Sequence, residues 1–188
     1  MSYISTAKAD DSFYDANRDP AGYIPNFVQL FSGRPEIYAA WRQLNGAIRS
    51  SMDLRRYELA TLGAATALKS SYCCLAHGKV LADKFYTSEE VVALAQEPAN
   101  DPVDRAIIEF ARKVALSADS ISQSDVDELK AVGLSDDDVF GVVLAAAARC
   151  FFSKTLDSTG TPPDSAYNSL PENLRVALTV GRPIDHSG

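Results

Sequence analysis

The run from Asp101 to Val114 constrains this chain most. Val103, Ala106, Ile107, Phe110, Ala111 and Val114 recur at i, i+3, i+4 and i+7 behind an Asp-Pro pair. Pro102 suits the first helical position, where its missing N–H costs nothing. The pattern predicts an amphipathic helix, which folds only against other elements. No segment shows sustained period-two alternation, and the Val-rich piece VFGVVLAAAA is framed by a Ser-Asp cap and an Ala run. The chain therefore reads as all-α, a helical bundle.

Further helices follow from the same reasoning. Phe27, Leu30 and Phe31 mark a short segment, and Ile37, Trp41, Leu44 and Ile48 a longer one, separated at Gly33 and Pro35. Ser88 before Glu89 and Glu90, Ser124 with Asp125 and Asp127, and Ser135 before Asp136, Asp137 and Asp138 each read as a capped start with an acidic first turn. The stretches 54–68 and 138–152 are loaded with Ala, Gly and Thr, which lets backbones approach closely. With 188 residues, 46% of them hydrophobic, the chain suffices for one buried core. The expected division is an N-terminal arm over 1–20, a helical domain over 21–165, and a tail over 166–188 that packs on the domain or extends it. The arm offers Tyr3, Ile4, Phe13 and Tyr14 for wrapping or for clasping a neighbouring subunit. The tail is broken by Pro162, Pro163, Pro171 and Pro183, and His186 is expected to be disordered.

Charge narrows the partners. A net charge of −7 and the absence of a clustered Lys/Arg run argue against nucleic acid. The polar, acidic N-terminus has no apolar signal region, and no segment has 18 consecutive apolar residues, so no membrane association is expected. Three cysteines, two of them adjacent, fit reduced thiols in a cytoplasm better than a disulfide framework. No GxGxxG, Walker loop or HExxH is present, so neither a nucleotide nor any other cofactor is called for.

The chemistry concentrates in Glu58 to His77, ELATLGAATALKSSYCCLAH. Cys73 and His77 are four residues apart, so a helix beginning near Tyr72 stacks them on one face. Ser70 or Ser71 can cap that helix, which puts Cys73 in its first turn, where the dipole favours an anion. A free thiol titrates near about 8.5, and a helix N-terminus or an imidazolium lowers that, so Cys73 is a candidate nucleophile. Glu58 is the last charge before ten uncharged residues and its helical neighbours Leu54 and Leu62 are apolar, so it faces a core. A carboxylate there needs a proton or a partner, and His77 is the obvious one. The plainer alternatives are a space-filling thiol, a structural histidine, and a Glu58 ion pair with Arg55 or Arg56. Zinc held by Cys73, His77 and Glu58 is a weaker reading, because the stretch offers only one histidine.

The pattern of a Glu, a small apolar helix and then SYCxLAHG resembles the alkylhydroperoxidase (AhpD)-like, or carboxymuconolactone decarboxylase-like, superfamily. There a Glu precedes a CxxC motif followed by His. Cys73 matches the second motif cysteine, His77 the histidine and Glu58 the glutamate, while Ser70 stands at the first motif cysteine. VDELKAVGLSDDDV and RCFFSKTLDSTG resemble later segments, so the likeness spans roughly residues 20 to 165. It implies an all-α, homo-oligomeric protein and, in one branch, hydroperoxide reduction by the dithiol.

Ser70 cannot be the resolving thiol. Adjacent Cys74 is a poor substitute, because a vicinal disulfide is strained and consecutive helical residues point about 100° apart. Cys150, beside Phe151 and Phe152, reads as core filler. The expected function is thus a thiol-dependent peroxidase: Cys73 attacks a small hydroperoxide, His77 and Glu58 relay protons, Tyr72 positions substrate, and an external thiol restores the sulfur. The alternatives are a decarboxylase-like proton-transfer enzyme, a redox sensor, or a non-catalytic oligomeric scaffold.

Overall fold

The computed structural model describes residues 2–185, and the sequence expectation for His186 lies outside them. Ten α-helices and no strand occur among the described residues: α1 Asp11–Ala16, α2 Asn26–Phe31, α3 Pro35–Ser50, α4 Leu54–Ala67, α5 Ser71–Lys84, α6 Ser88–Gln96, α7 Pro102–Ser117, α8 Gln123–Ala131, α9 Asp136–Thr159 and α10 Glu172–Leu178. The expectation of an all-α bundle holds.

Helix α4 is the centre, packed by α5, α7 and α9. Its composition makes this possible, since every residue from Tyr57 to Ala65 is buried. At Gly63 the α7 backbone comes so close that an added Cβ would stand 2.7 Å from the Ile108 carbonyl oxygen. Helix α7 is the helix foreseen from its stripe, with Pro102 at its start and Asp101 accepting from the Val103 and Asp104 amides. Helix α9 is long and apolar enough to cross a membrane by length and composition. It is nevertheless a core helix, packed against α3, α4 and α7.

Two expectations of detail are corrected. The caps of α6 and α8 are Thr87 and Ser122, not Ser88 and Ser124. In both, the cap stands three residues before the acid that closes the capping box, Glu90 or Asp125. Ser135 caps α9 as expected. Ile37 and Leu44 were placed on the inner stripe of α3, yet they are 49% and 54% exposed. The helix is turned by roughly 50° so that Tyr38, Trp41, Asn45 and Ile48 face inward. Aromatic packing drives the rotation: Tyr38 stacks on Phe31 at 5.5 Å and Trp41 on Phe152 at 5.1 Å.

Both ends of the described residues fold onto the helices. Tyr3 donates its amide to the Thr159 carbonyl at 2.7 Å. Phe13 packs edge-on against Tyr38. Helix α10 lies on α5 and α6, with Leu178 against Gly78.

Candidate active site

The turn between α4 and α5 is tight. Lys69 takes a left-handed φ of 54°, and the Ser70 amide donates back to the Ala65 carbonyl at 3.0 Å. From the C-terminal segment, the Gly181 amide donates to Ser71 Oγ at 2.8 Å. Ser70 is the N-cap of α5, although its hydroxyl makes no capping bond and faces Asp157 instead. Cys73 is the third residue of the helix, inside the first turn, where the unsatisfied amides favour negative charge.

Glu58 is 2% exposed. Its Oε2 lies 2.6 Å from His77 Nδ1, and its Oε1 is 3.9 Å from Nε of the half-exposed Arg49. Arg55 and Arg56 do not compete for it, because Arg55 pairs with Asp104 and Arg56 with Asp138. Burial, and next the Arg149 charge, lower the His77 pKa below its ordinary value of 6.5, against the opposing pull of Glu58. His77 is therefore neutral near pH 7. With the carboxylate as acceptor, Nδ1 carries the proton and Nε2 is left with its lone pair.

This shift has a testable sign. A histidine whose folded pKa is depressed binds fewer protons folded than unfolded, so stability is full above 6.5 and falls as pH drops below that value. Urea unfolding at a series of pH values is expected to show this slope in the native chain and its loss in His77→Gln. Identical slopes would contradict the assignment.

The sulfur of Cys73 meets a residue that sequence reasoning passed over. Arg149 Nη1 lies 3.6 Å from Cys73 Sγ, and Nη2 lies 3.4 Å from the Tyr57 hydroxyl. Tyr57 in turn donates to Asn45 at 2.9 Å. The Arg149 guanidinium is buried beside the stacked Trp41 and Phe152 rings, 5.9 and 5.7 Å from their centres. Among the described residues no carboxylate forms an ion pair with it. Burial works against its charge, but Cys73 and Tyr57 outweigh burial and hold its pKa above the ordinary arginine value. A signal was available: Arg149 is the one charge between Asp138 and Lys154, as Glu58 heads an uncharged run.

The other candidates take separate places. Cys74 is fully buried, and burial together with Cys73 pushes its thiol well up. The Tyr72 hydroxyl is committed to Asp164, and burial drives its pKa far up. Cys150 turns towards α7, its sulfur 4.0 Å from the Ala115 carbonyl. Cys73, His77 and Glu58 do not converge as metal ligands, and the guanidinium at the sulfur would repel a cation. Two surface clefts, of about 350 and 360 Å³, are lined by none of these three residues. The outermost members of the site are Arg49 and the His77 ring edge.

Residues 35–99, which span α3 to α6 and include Glu58, Cys73 and His77, match the Carboxymuconolactone decarboxylase family. A solved structure from Ralstonia eutropha, an uncharacterized peroxidase-related protein with an alkylhydroperoxidase AhpD core, superposes with a TM-score of 0.79 at 20% identity, covering 89% of this chain and 94% of that one. The fold is the AhpD all-α fold. An uncharacterized peroxidase-related protein from Silicibacter gives 0.77 at 17% identity over the same shares. A cysteine-to-alanine variant of the debrominase Bmp8, solved with 2,3,4-tribromopyrrole, gives 0.68 at 14% identity, covering 82% of this chain and 83% of that one. Among curated proteins no sequence matches. At these identities the AhpD likeness establishes architecture and leaves the chemistry to the site itself.

Proposed function

We propose that this chain is a thiol-dependent peroxidase that reduces alkyl hydroperoxides through Cys73. One observation carries the reading: a sulfur in the first turn of α5 touches a buried guanidinium, and one turn further along the helix stands a neutral imidazole hydrogen-bonded to a carboxylate. That combination serves a nucleophile whose reaction also needs a proton moved. His77 Nε2, directly or through a water, takes the Cys73 proton while Glu58 holds Nδ1–H. The sulfur attacks one peroxide oxygen, the S–O bond forms as the O–O bond breaks, and His77 returns the proton to the departing alkoxide. The products are an alcohol and a sulfenic acid on Cys73, with sulfur oxidised and peroxide reduced by two electrons.

With Ser70 in place of a second motif thiol, an external thiol supplies the reducing electrons. A reducing cytoplasm and a homo-oligomeric assembly suit this chemistry and the family likeness. The peroxidase-related names of the Ralstonia and Silicibacter proteins point the same way.

A second reading is proton-transfer catalysis of the decarboxylase kind, with the thiol a bystander. It is favoured by one contact, since His77 bonds Glu58 and not Cys73. The experiment is a brief organic hydroperoxide pulse on the reduced chain, a sulfenic-acid trap, and peptide mapping. The peroxidase reading expects the trap on Cys73, with Cys74 and Cys150 unmodified. A Cys73 that stays reduced at peroxide levels that oxidise ordinary thiols would sink it in favour of proton transfer.

A further inference from the structure

Two buried polar groups of α9 have no hydrogen-bond partner among the described residues. Arg149 Nε and Ser153 Oγ both lie in the interior without a hydrogen bond, the residues being 4% and 0% exposed. Groups of this kind carry the full cost of desolvation, and native proteins rarely leave them so. They are one helical turn apart on α9, on the same face. What that face meets is fixed by its neighbours: Arg149 touches Cys73, Cys74 senses the charges of both Arg149 and Asp157, and Asp157 faces Ser70. Ser153 sits between Arg149 and Asp157, so it faces the first turn of α5, where the reactive sulfur is.

We propose that Arg149 and Ser153 form a preformed site for the oxygen that a hydroperoxide leaves on Cys73, which makes the sulfenic acid a held, long-lived state. This inference rests on the peroxidase reading and extends it to the fate of the oxidised sulfur. The oxygen accepts from the Arg149 guanidinium, whose Nη1 already meets the sulfur, and from the Ser153 hydroxyl, a donor the resting site does not spend. A charged donor to an anionic oxygen makes the stronger kind of hydrogen bond. The surroundings suit a persistent sulfenic acid, because no thiol of the chain stands where it can condense with it. Ser70 has no sulfur, Cys74 points about 100° away on the same helix, and Cys150 is turned towards Ala115. Release then requires a thiol from outside: Cys73–SOH and that thiol give a mixed disulfide and water, and a second thiol returns Cys73 and leaves as the disulfide.

The test follows decay, not formation. Reduced full-length chain is treated with stoichiometric tert-butyl hydroperoxide, freed of peroxide, and mixed with dimedone after increasing delays without thiol. The trapped fraction is then read by intact mass. Ser153→Ala is expected to shorten the lifetime of the trappable species about tenfold, the equivalent of about 1.4 kcal/mol, and Arg149→Lys at least as much. Because the Ser153 hydroxyl is buried with no partner in the resting site, the alanine variant is expected to unfold at the same urea concentration as the native chain or at a higher one. A purely structural role predicts lost stability instead. Equal lifetimes for the native chain and Ser153→Ala, with Cys73 oxidised in both, overturn the oxygen site and leave the peroxidase reading standing. No oxidation of Cys73 at all overturns both.

Discussion

Arg149→Met is expected to slow the oxidation of Cys73 by an organic hydroperoxide by about a hundredfold, the scale seen when a preorganised donor to a reacting centre is removed. Stability is expected to stay level or rise. The guanidinium lies 3.6 Å from the sulfur, in an interior where such contacts are far stronger than in water. Negative charge moves from sulfur to the departing oxygen during the reaction, and a fixed cation there stabilises it without reorganising. The same cation is costly to the fold, because it is buried with aromatic rings and two neutral-capable neighbours in place of a carboxylate. Replacing such groups by apolar side chains of similar volume is often neutral or stabilising by roughly 1–4 kcal/mol. Tyr57 keeps Asn45 as a partner, so the substitution does not strand its hydroxyl. Stopped-flow oxidation and urea unfolding of one preparation check both halves. A variant that reacts as fast as the native chain would contradict the role given to Arg149.

Gly63→Val is expected to lower stability by about 3 kcal/mol, which for a chain of this size moves Tm down by roughly 6–12 °C. A Cβ at Gly63 would lie 2.7 Å from the Ile108 carbonyl oxygen and 3.1 Å from its Cα, so the obstacle is the α7 backbone. No rotamer change relieves that contact, and α4 and α7 must separate along the most extensive helix pairing in the fold. Gly78 provides the contrast. An added Cβ there meets the tip of Leu178, at 2.4 Å, and a flexible side chain yields more cheaply. Gly78→Ala is therefore the milder change, and thermal unfolding of the two variants side by side tests the distinction. A Gly63→Val chain within 1 kcal/mol of the native one would mean that the α4–α7 contact is looser than described.

Most of the architecture was legible because it rests on local spacing. The 103–114 stripe, the Pro102 start, the Ser135 cap and the absence of strands are statements about residues three or four apart, and the helices follow them. The misplaced caps of α6 and α8 were local too, and the spacing from Thr87 to Glu90 and from Ser122 to Asp125 would have found them. The rotation of α3 was not local. Ile37 and Leu44 satisfy a helical stripe as well as Tyr38 does, and only the rings of Phe31 and Phe152 on other helices choose between them.

The site divides in the same way. The sequence by itself determined that Cys73 lies in the first turn of a helix with His77 one turn beyond, and that Glu58 heads an uncharged run, because helical geometry converts short spacings into shared faces. The tertiary structure alone decided the pairings. Glu58 could have met Arg55 or Arg56, neighbours in the chain, but those side chains find Asp104 and Asp138, and the carboxylate turns to His77. Cys73 could have met His77, yet its sulfur lies against Arg149, 76 residues away. Periodicity fixes which way a side chain leaves its own helix. Which charge it meets depends on the packing of helices far apart in sequence, where burial makes each unpaired charge costly enough to select its partner.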